Sequence, residues 1–298
     1  MSAAFDDLPL APLQPLALGW LARAGVEVAV LRLDLIDPLI SGNKWFKLQG
    51  HLRLAHARGA PGVISLGGAY SNHLHALAAA GKRFGFATAG LLRGHPHSNP
   101  TVHDLQALGM HLHWLGYAGY RARHQADFWQ PWQALYPAWH CVPEGGAGPL
   151  GTEGCAQIVT QARAQLAAVG WADYDAWWLA VGSGTTLVGL AQAEAGAHPV
   201  HGALAVPPGH GVEGEVEVLA PGTYRLHDAS RGGFAKVDPA LLAFIQASEA
   251  ESGLPLEPLY TGKALLALQE RVLAGAFVAG TRLIFVHTGG LQGRRGFA

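Results

Sequence analysis

Short apolar runs alternate with helical stretches along this chain, and glycine turns join one to the next. Val63-Ile64-Ser65-Leu66 is too short for a helix and has no charged side, so it reads as a strand buried on both faces. Gly67-Gly68 turns the chain, and residues 71–83 follow as an alanine-rich helix. The unit then recurs, with strands at 86–92, 111–115 and 139–142 and helices at 101–108 and 119–135. Strands that alternate with helices at this spacing require right-handed crossovers, hence mainly parallel sheets covered by helices on both faces.

The second half repeats the theme. Residues 154–169 and 186–195 read as helices, 177–181 and 200–206 as strands, 239–252 and 262–273 as helices, and 283–286 as a strand. Residues 8–20 look like an irregular lead-in and 145–150 like a linker, while 207–233 show no pattern that assigns them. Residues 26–36 read as strand, but the alternation slips between Val26, Val28, Val30 and Leu31, Leu33, Leu35, the mark of a bulge or of two short strands. The expected architecture is α/β, with two open, twisted, mainly parallel sheets. A small α/β domain at 47–150 would be inserted into a larger one made of 1–46 and 151–298. In such sheets ligands sit at the carboxyl ends of strands, where the glycine turns fall.

Composition narrows the function. Lys+Arg 20 against Asp+Glu 21 lacks the basic excess of a nucleic-acid binder. Two cysteines, Cys141 and Cys155, make no disulfide framework, which points to a reducing, cytoplasmic setting. Met1–Asp7 has no basic stretch leading into an apolar one, so no signal peptide is read there, and no apolar run reaches membrane-spanning length. Neither His111-Leu112-His113 nor His95-Pro96-His97 has carboxylates at ligand spacing, so no metal is expected.

Three turns carry chemistry. Ser41-Gly42-Asn43-Lys44 sets a lysine at the mouth of a helix, with Trp45 and Phe46 as apolar neighbours. A lysine so placed can hold an aldehyde cofactor as a Schiff base. Gly67-Gly68-Ala69-Tyr70-Ser71-Asn72-His73 brings a hydroxyl, an amide and an imidazole to a helix start, though Ser71 or Asn72 would serve equally as a cap. Gly182-Ser183-Gly184-Thr185-Thr186 follows an apolar strand and opens a helix, as a one-phosphate cradle does. It has no lysine at the nucleoside-triphosphate position and lacks the glycine spacing of a dinucleotide site. Tyr260-Thr261-Gly262-Lys263 and His287-Thr288-Gly289-Gly290 open a helix and close a strand, and each reads equally as structure alone.

These segments, SGNKWFKL, LGGAYSNH, PEGG, GSGTTLVGL, LYTGKALLAL and FVHTGGLQG, resemble in order and spacing the 1-aminocyclopropane-1-carboxylate deaminase and D-cysteine desulfhydrase family of pyridoxal-phosphate enzymes. The resemblance runs from about Asp34 to Gly293 and implies the tryptophan-synthase-β-like fold, fold type II among pyridoxal-phosphate enzymes. It implies pyridoxal 5'-phosphate as cofactor, a small amino acid as substrate, and a homodimer. Carried over by position, Lys44 bonds the cofactor and moves the Cα proton, and Asn72 sits beside the cofactor's phenolic oxygen. Ser71 lies near the substrate carboxylate, with Asn72 and His73 also on the substrate side. Gly182, Ser183, Gly184, Thr185 and Thr186 hold the phosphate, Tyr260 faces the substrate, and Thr288 lies near the pyridine ring.

Two departures bear on the substrate. Ring-opening deaminases carry a glutamate where this chain has Thr261, and a carboxylate there keeps the pyridine nitrogen protonated. A neutral threonine suits an α,β-elimination in which a thiolate leaves, as from D-cysteine to pyruvate, ammonia and sulfide. Phe234 stands where relatives often have tyrosine, among the residues expected near the substrate. The alternatives are ring opening of the cyclopropane acid to 2-oxobutyrate and ammonia, or a homologue that binds the cofactor with little turnover.

Overall fold

The computed structural model describes residues 9–220 and 222–297. The reading of Met1–Asp7 as lacking a signal peptide lies outside the described residues. In chain order the elements begin with β1 (Leu13–Pro15), α1 (Gly19–Ala24) and β2 (Glu27–Arg32). Then come α2 (Asn43–Ala57), β3 (Gly62–Gly67), α3 (Asn72–Phe84), β4 (Ala87–Leu92), α4 (Pro100–Ala107) and β5 (His111–Trp114). They are followed by α5 (Gly116–Arg121), α6 (Gln130–Leu135), β6 (His140–Cys141), α7 (Pro149–Arg163), β7 (Ala176–Val181), α8 (Thr185–Glu194) and β8 (Val200–Leu204). The last are α9 (Val212–Leu219), β9 (Tyr224–Asp228), α10 (Pro239–Ser252), α11 (Thr261–Leu273) and β10 (Arg282–His287).

The described residues form two compact units. One comprises Asp37–Gly154 and the described parts of Met1–Pro9 and Gln292–Ala298; the other comprises Leu10–Ile36 and Cys155–Leu291. The first holds a four-stranded parallel sheet in the order β5-β4-β3-β6. Every residue of β3 is buried, as an apolar run in a parallel sheet requires. The second unit holds a six-stranded sheet, β1-β2-β10-β7-β8-β9, parallel except for the antiparallel edge strand β1.

Consecutive residues of a strand point to opposite faces, and Trp177 and Trp178 show what covers each face of β7. The Trp178 indole donates to the Ala264 carbonyl of α11 at 2.8 Å, whereas Trp177 donates to Glu194 of α8 at 2.8 Å. On the Trp178 face, Trp20 and Leu21 of α1, Leu241 and Ile245 of α10, and Leu265 and Leu268 of α11 close one core over Val28, Val30 and Phe285. Helices on both faces of mainly parallel sheets are the fold class expected from the alternation of runs.

Several local expectations are corrected. The slipped alternation after Val30 is neither a bulge nor a second strand: β2 ends at Arg32 and Leu33–Leu35 forms a 3₁₀ turn. That turn buries Asp34, whose carboxylate takes two hydrogen bonds from Arg32, at 2.8 and 2.6 Å. The stretch expected as a helix at 119–135 is two short helices, α5 and α6. The linker at 145–150 gives way to α7, which begins at Pro149, a residue suited to a first helical turn. The lead-in contains β1 and α1, and the unassigned 207–233 contains α9 and the edge strand β9.

Candidate active site

In the first unit, Lys44 stands at the second position of α2, after Gly42, which turns with φ 72° and leaves the helix without a side-chain cap. Its ammonium donates to Asn43 Oδ1 at 2.6 Å. Behind it Trp45 and Phe46 are buried, with Trp45 edge-on to Phe84 at 6.2 Å. Glycine at the turn and aromatic side chains at the next two positions thus leave a half-buried lysine at a helix start.

Ser71 caps α3, accepting the Leu74 N–H at 3.2 Å. The capping role is therefore real, but a hydroxyl that accepts there keeps its own hydrogen to donate. Asn72 Oδ1 accepts from Gln292 Nε2 at 2.5 Å, which leaves the amide NH₂ of Asn72 turned to other partners. Gln292 is held in turn by Thr101, whose hydroxyl donates to its Oε1 at 3.0 Å.

His73 is 2% exposed, and its Nε2 lies 2.8 Å from Ser65 Oγ. Because the Ser65 hydroxyl donates to the Val142 carbonyl at 2.9 Å, it must accept from His73, which fixes the proton on Nε2. Nδ1 then carries the lone pair, is buried, and meets no hydrogen-bond partner among the described residues. Burial above all, with the Lys44 and Lys47 charges nearby, holds His73 well below its ordinary value of 6.5 and keeps it neutral.

In the second unit, β7 runs into Gly182 and the turn to α8. Gly184 takes φ 78°, a left-handed conformation that favours glycine, and a Cβ there would lie 2.6 Å from Val216. No side chain caps α8 and no acidic residue lies in its first turn, so the helix start offers backbone N–H groups and a positive dipole end. Ser183 and Thr185 hydroxyls stand 3.1 Å apart, and Thr185 and Thr186 are each 4% exposed. Donors without a carboxylate suit a phosphate.

Tyr260 lies against this turn: a Cβ added to Gly182 would sit 3.1 Å from its ring. Phe234 meets the same ring edge to face at 5.5 Å. The structure thus brings Gly182, Tyr260 and Phe234 together. Thr288 follows β10 and is 8% exposed; Gly289 and Gly290 after it turn with φ 77° and 86°.

Beneath Tyr260 is a carboxylate that no motif reading singled out. Glu257, 1% exposed, accepts the N–H groups of Leu259, Tyr260 and Thr261 at 2.8, 2.7 and 2.7 Å and so caps α11 from outside it. Burial raises its pKa against those three bonds. Thr261 Oγ1 accepts the Glu257 N–H at 3.0 Å. At the end of β10, His287 donates from Nε2 to the Pro255 carbonyl at 2.7 Å, with Nδ1 3.0 Å from Asp34. Burial alone would raise Asp34, but bonds from Arg32 and His287 prevail and hold it well below the ordinary carboxylate range.

Gln292 and Ser65 act through partners distant in sequence, Asn72 and Val142, whereas Glu257 reaches residues two to four positions on and Asp34 joins nearby Arg32 to distant His287. Only the LYTGK and HTGGLQG runs beside two of them gave any signal.

An amine at a helix mouth in one unit and a carboxylate-free helix start in the other are each, taken separately, groups that a phosphorylated aldehyde could use. The chain belongs to the pyridoxal-phosphate dependent enzyme family, whose sequence pattern it matches over residues 3–289. Its cofactor is pyridoxal 5'-phosphate. Among curated relatives it is 28% identical over 286 residues to a putative 1-aminocyclopropane-1-carboxylate deaminase of Pyrococcus furiosus, an alignment covering 90% of this chain and 86% of that one. It is 26% identical over 302 residues to the bifunctional D-cysteine desulfhydrase/1-aminocyclopropane-1-carboxylate deaminase of Arabidopsis thaliana, covering 90% and 73%. A crystal structure of a homologue of 1-aminocyclopropane-1-carboxylate deaminase superposes with a TM-score of 0.82 at 24% identity, over 98% of this chain and 96% of that one. Among the described residues no helix is long and apolar enough to cross a membrane.

Proposed function

We propose that this enzyme catalyses α,β-elimination from D-cysteine or a similar small amino acid, consuming one water and releasing pyruvate, ammonia and sulfide. The observation that carries this reading is Thr261: at the start of α11 the chain presents a buried neutral hydroxyl, bound to the Glu257 N–H at 3.0 Å. The Glu257 carboxyl beside it has its pKa raised by burial, against the bonds from the Thr261, Leu259 and Tyr260 N–H groups that lower it.

Bound pyridoxal 5'-phosphate supplies a sink for the electron pair left when the Cα proton is removed. The Gly182–Thr186 turn would hold the phosphate through Ser183, Thr185, Thr186 and the N–H groups of the uncapped helix start. Lys44 would hold the cofactor through its side-chain amine and, once free of it, would take the Cα proton at Nζ. Ser71, already oriented by the Leu74 N–H, donates its hydroxyl hydrogen to the substrate carboxylate. Asn72, pinned by Gln292 through its oxygen, would have its NH₂ left to hold the cofactor. His73 supports that turn as a neutral ring, Tyr260 and Phe234 would face the substrate side chain, and Thr288 would help to hold the cofactor. A homodimer in the cytoplasm completes the reading.

The test is a panel of D- and L-amino acids and 1-aminocyclopropane-1-carboxylate, assayed for keto acid, ammonia and sulfide. Pyruvate and sulfide from D-cysteine are expected, with loss of both in Lys44→Ala by roughly a thousandfold or more. Release of 2-oxobutyrate from the cyclopropane acid in preference would overturn the assignment. So would a cofactor-loaded protein that makes no keto acid from any of them.

A further inference from the structure

Lys263 has no part in the chemistry above, yet it is among the largest fully buried side chains in the described structure, 1% exposed. It lies in the first turn of α11, three residues after Tyr260. A buried ammonium without partners would be costly. Here its three N–H donors meet three backbone carbonyls: Ser230 at 3.0 Å, Gly233 at 2.9 Å and Phe234 at 2.9 Å. Burial pushes its pKa down to about 8, which still leaves the ammonium, with all three donors, the main form at neutral pH.

Those carbonyls belong to one loop, and the loop has been bent to deliver them. Arg231 and Gly232 take φ 55° and 79° in succession, so a non-glycine residue sits in the left-handed region. An arginine there is held by its ion pair with Asp238. The Ser230 hydroxyl accepts the Gly232 N–H at 3.2 Å, which closes the turn. The next side chain out of this loop is Phe234, 39% exposed, whose ring meets Tyr260 at 5.5 Å. Tyr260 and Lys263 therefore rise from the same helical turn, one as the wall that Phe234 touches and the other as the anchor of the Phe234 backbone.

We propose that Lys263 is a positioning residue: by binding the carbonyls of Ser230, Gly233 and Phe234 it fixes the Phe234 ring against Tyr260, and so sets the size of substrate side chain admitted there. The proposal rests on the reading that Tyr260 faces the substrate.

The experiment compares the parent holoenzyme with Lys263→Met, which keeps the stem and removes the donors, and with Phe234→Ala, which keeps the anchor and removes the ring. Lys263→Gln, with two donors, takes the place of the methionine variant if that one does not fold, and carries the same expectations. Hydrogen exchange is read at residues 230–236 and at β7 and β10. Steady-state kinetics are read on D-cysteine and on its bulkier S-methyl ether. In Lys263→Met, loop amides should exchange about tenfold faster or more, while the sheet stays protected. KM for D-cysteine should rise more than kcat falls, and the preference over the S-methyl ether should narrow. Phe234→Ala should reproduce the kinetic change with the loop still protected. Unchanged loop exchange in Lys263→Met overturns the proposal. A loosened loop with KM and preference unmoved, or a Phe234→Ala variant with parental kinetics, overturns it equally. If the parent turns over neither compound, the functional reading fails, and loop exchange alone then decides whether Lys263 is the anchor.

Discussion

Thr261 and Glu257 bind each other reciprocally: the Thr261 N–H donates to Glu257 Oε1 at 2.7 Å, and Thr261 Oγ1 accepts the Glu257 N–H at 3.0 Å. The pair closes the entrance to α11 as a reciprocal cap, with the acidic residue upstream and the hydroxyl inside the helix. The hydroxyl is therefore a structural acceptor as well as the neutral group on which the substrate assignment turns. Thr261→Val should leave the buried Glu257 N–H unpaired and destabilise the fold by about 1–3 kcal/mol, whereas Thr261→Ser should lose much less. Urea unfolding of the two variants decides it; equal losses would mean that the methyl, not the acceptor, matters.

Asp34 gives a pH dependence with a definite sign. Its folded pKa lies below the ordinary 3.8, so its contribution is whole above that value and is lost as pH falls through the folded one. Asp34→Asn should cost roughly 3 kcal/mol at neutral pH, because Arg32 and His287 lose a buried anion. The difference from the parent should shrink in acid. Unfolding curves at neutral pH and in acid measure both, and a loss that stays constant with pH would contradict the account.

Ser65 determines the tautomer of His73, since its own hydrogen goes to Val142. Ser65→Ala should remove that acceptor, leave a buried N–H unpaired at about 1–3 kcal/mol, and mix the two tautomers. Nitrogen chemical shifts of the His73 ring report the change directly. A ring still wholly protonated on Nε2 would show that something other than Ser65 sets it.

Gly184 cannot carry a side chain cheaply. Gly184→Ala meets a positive φ of 78° and a Cβ 2.6 Å from Val216, together about 2 kcal/mol of strain. Because that strain falls on the turn proposed to hold the phosphate, cofactor affinity should drop by about tenfold or more. Cofactor titration with fluorescence detection tests this; unchanged affinity would remove the turn from the phosphate site.

The α/β alternation was legible because the signals are local. Buried parallel strands such as β3 need uninterrupted apolar runs, and the turn at Gly182–Thr186 needs glycine before a helix start. The poorly patterned 207–233 hid β9 because it is an edge strand, half exposed, whose partner β8 lies some twenty residues earlier. The 3₁₀ turn after Arg32 looked like strand because leucine alternation continues through it, while the contacts of Asp34 with Arg32 and His287 that accompany the turn leave no mark in that alternation.

The site divides in the same way. The residue types and their order along the chain determined that Lys44, Ser71, Asn72 and the Gly182–Thr186 turn are candidates, since a reactive amine, a hydroxyl at a helix start and a glycine-rich turn are properties of short segments. What holds them was decided by tertiary structure alone: Gln292 on Asn72, Ser65 on His73, Glu257 under Thr261, Lys263 on the carbonyls of the Phe234 loop. Of these partners Gln292 lies 220 residues from Asn72 and Lys263 lies 29 from Phe234. Even Glu257, four residues from Thr261, is committed to it by the shape of the helix entrance. Hydrogen bonds of that kind have no periodicity to read, because they depend on where packing brings two backbones together rather than on what precedes each residue.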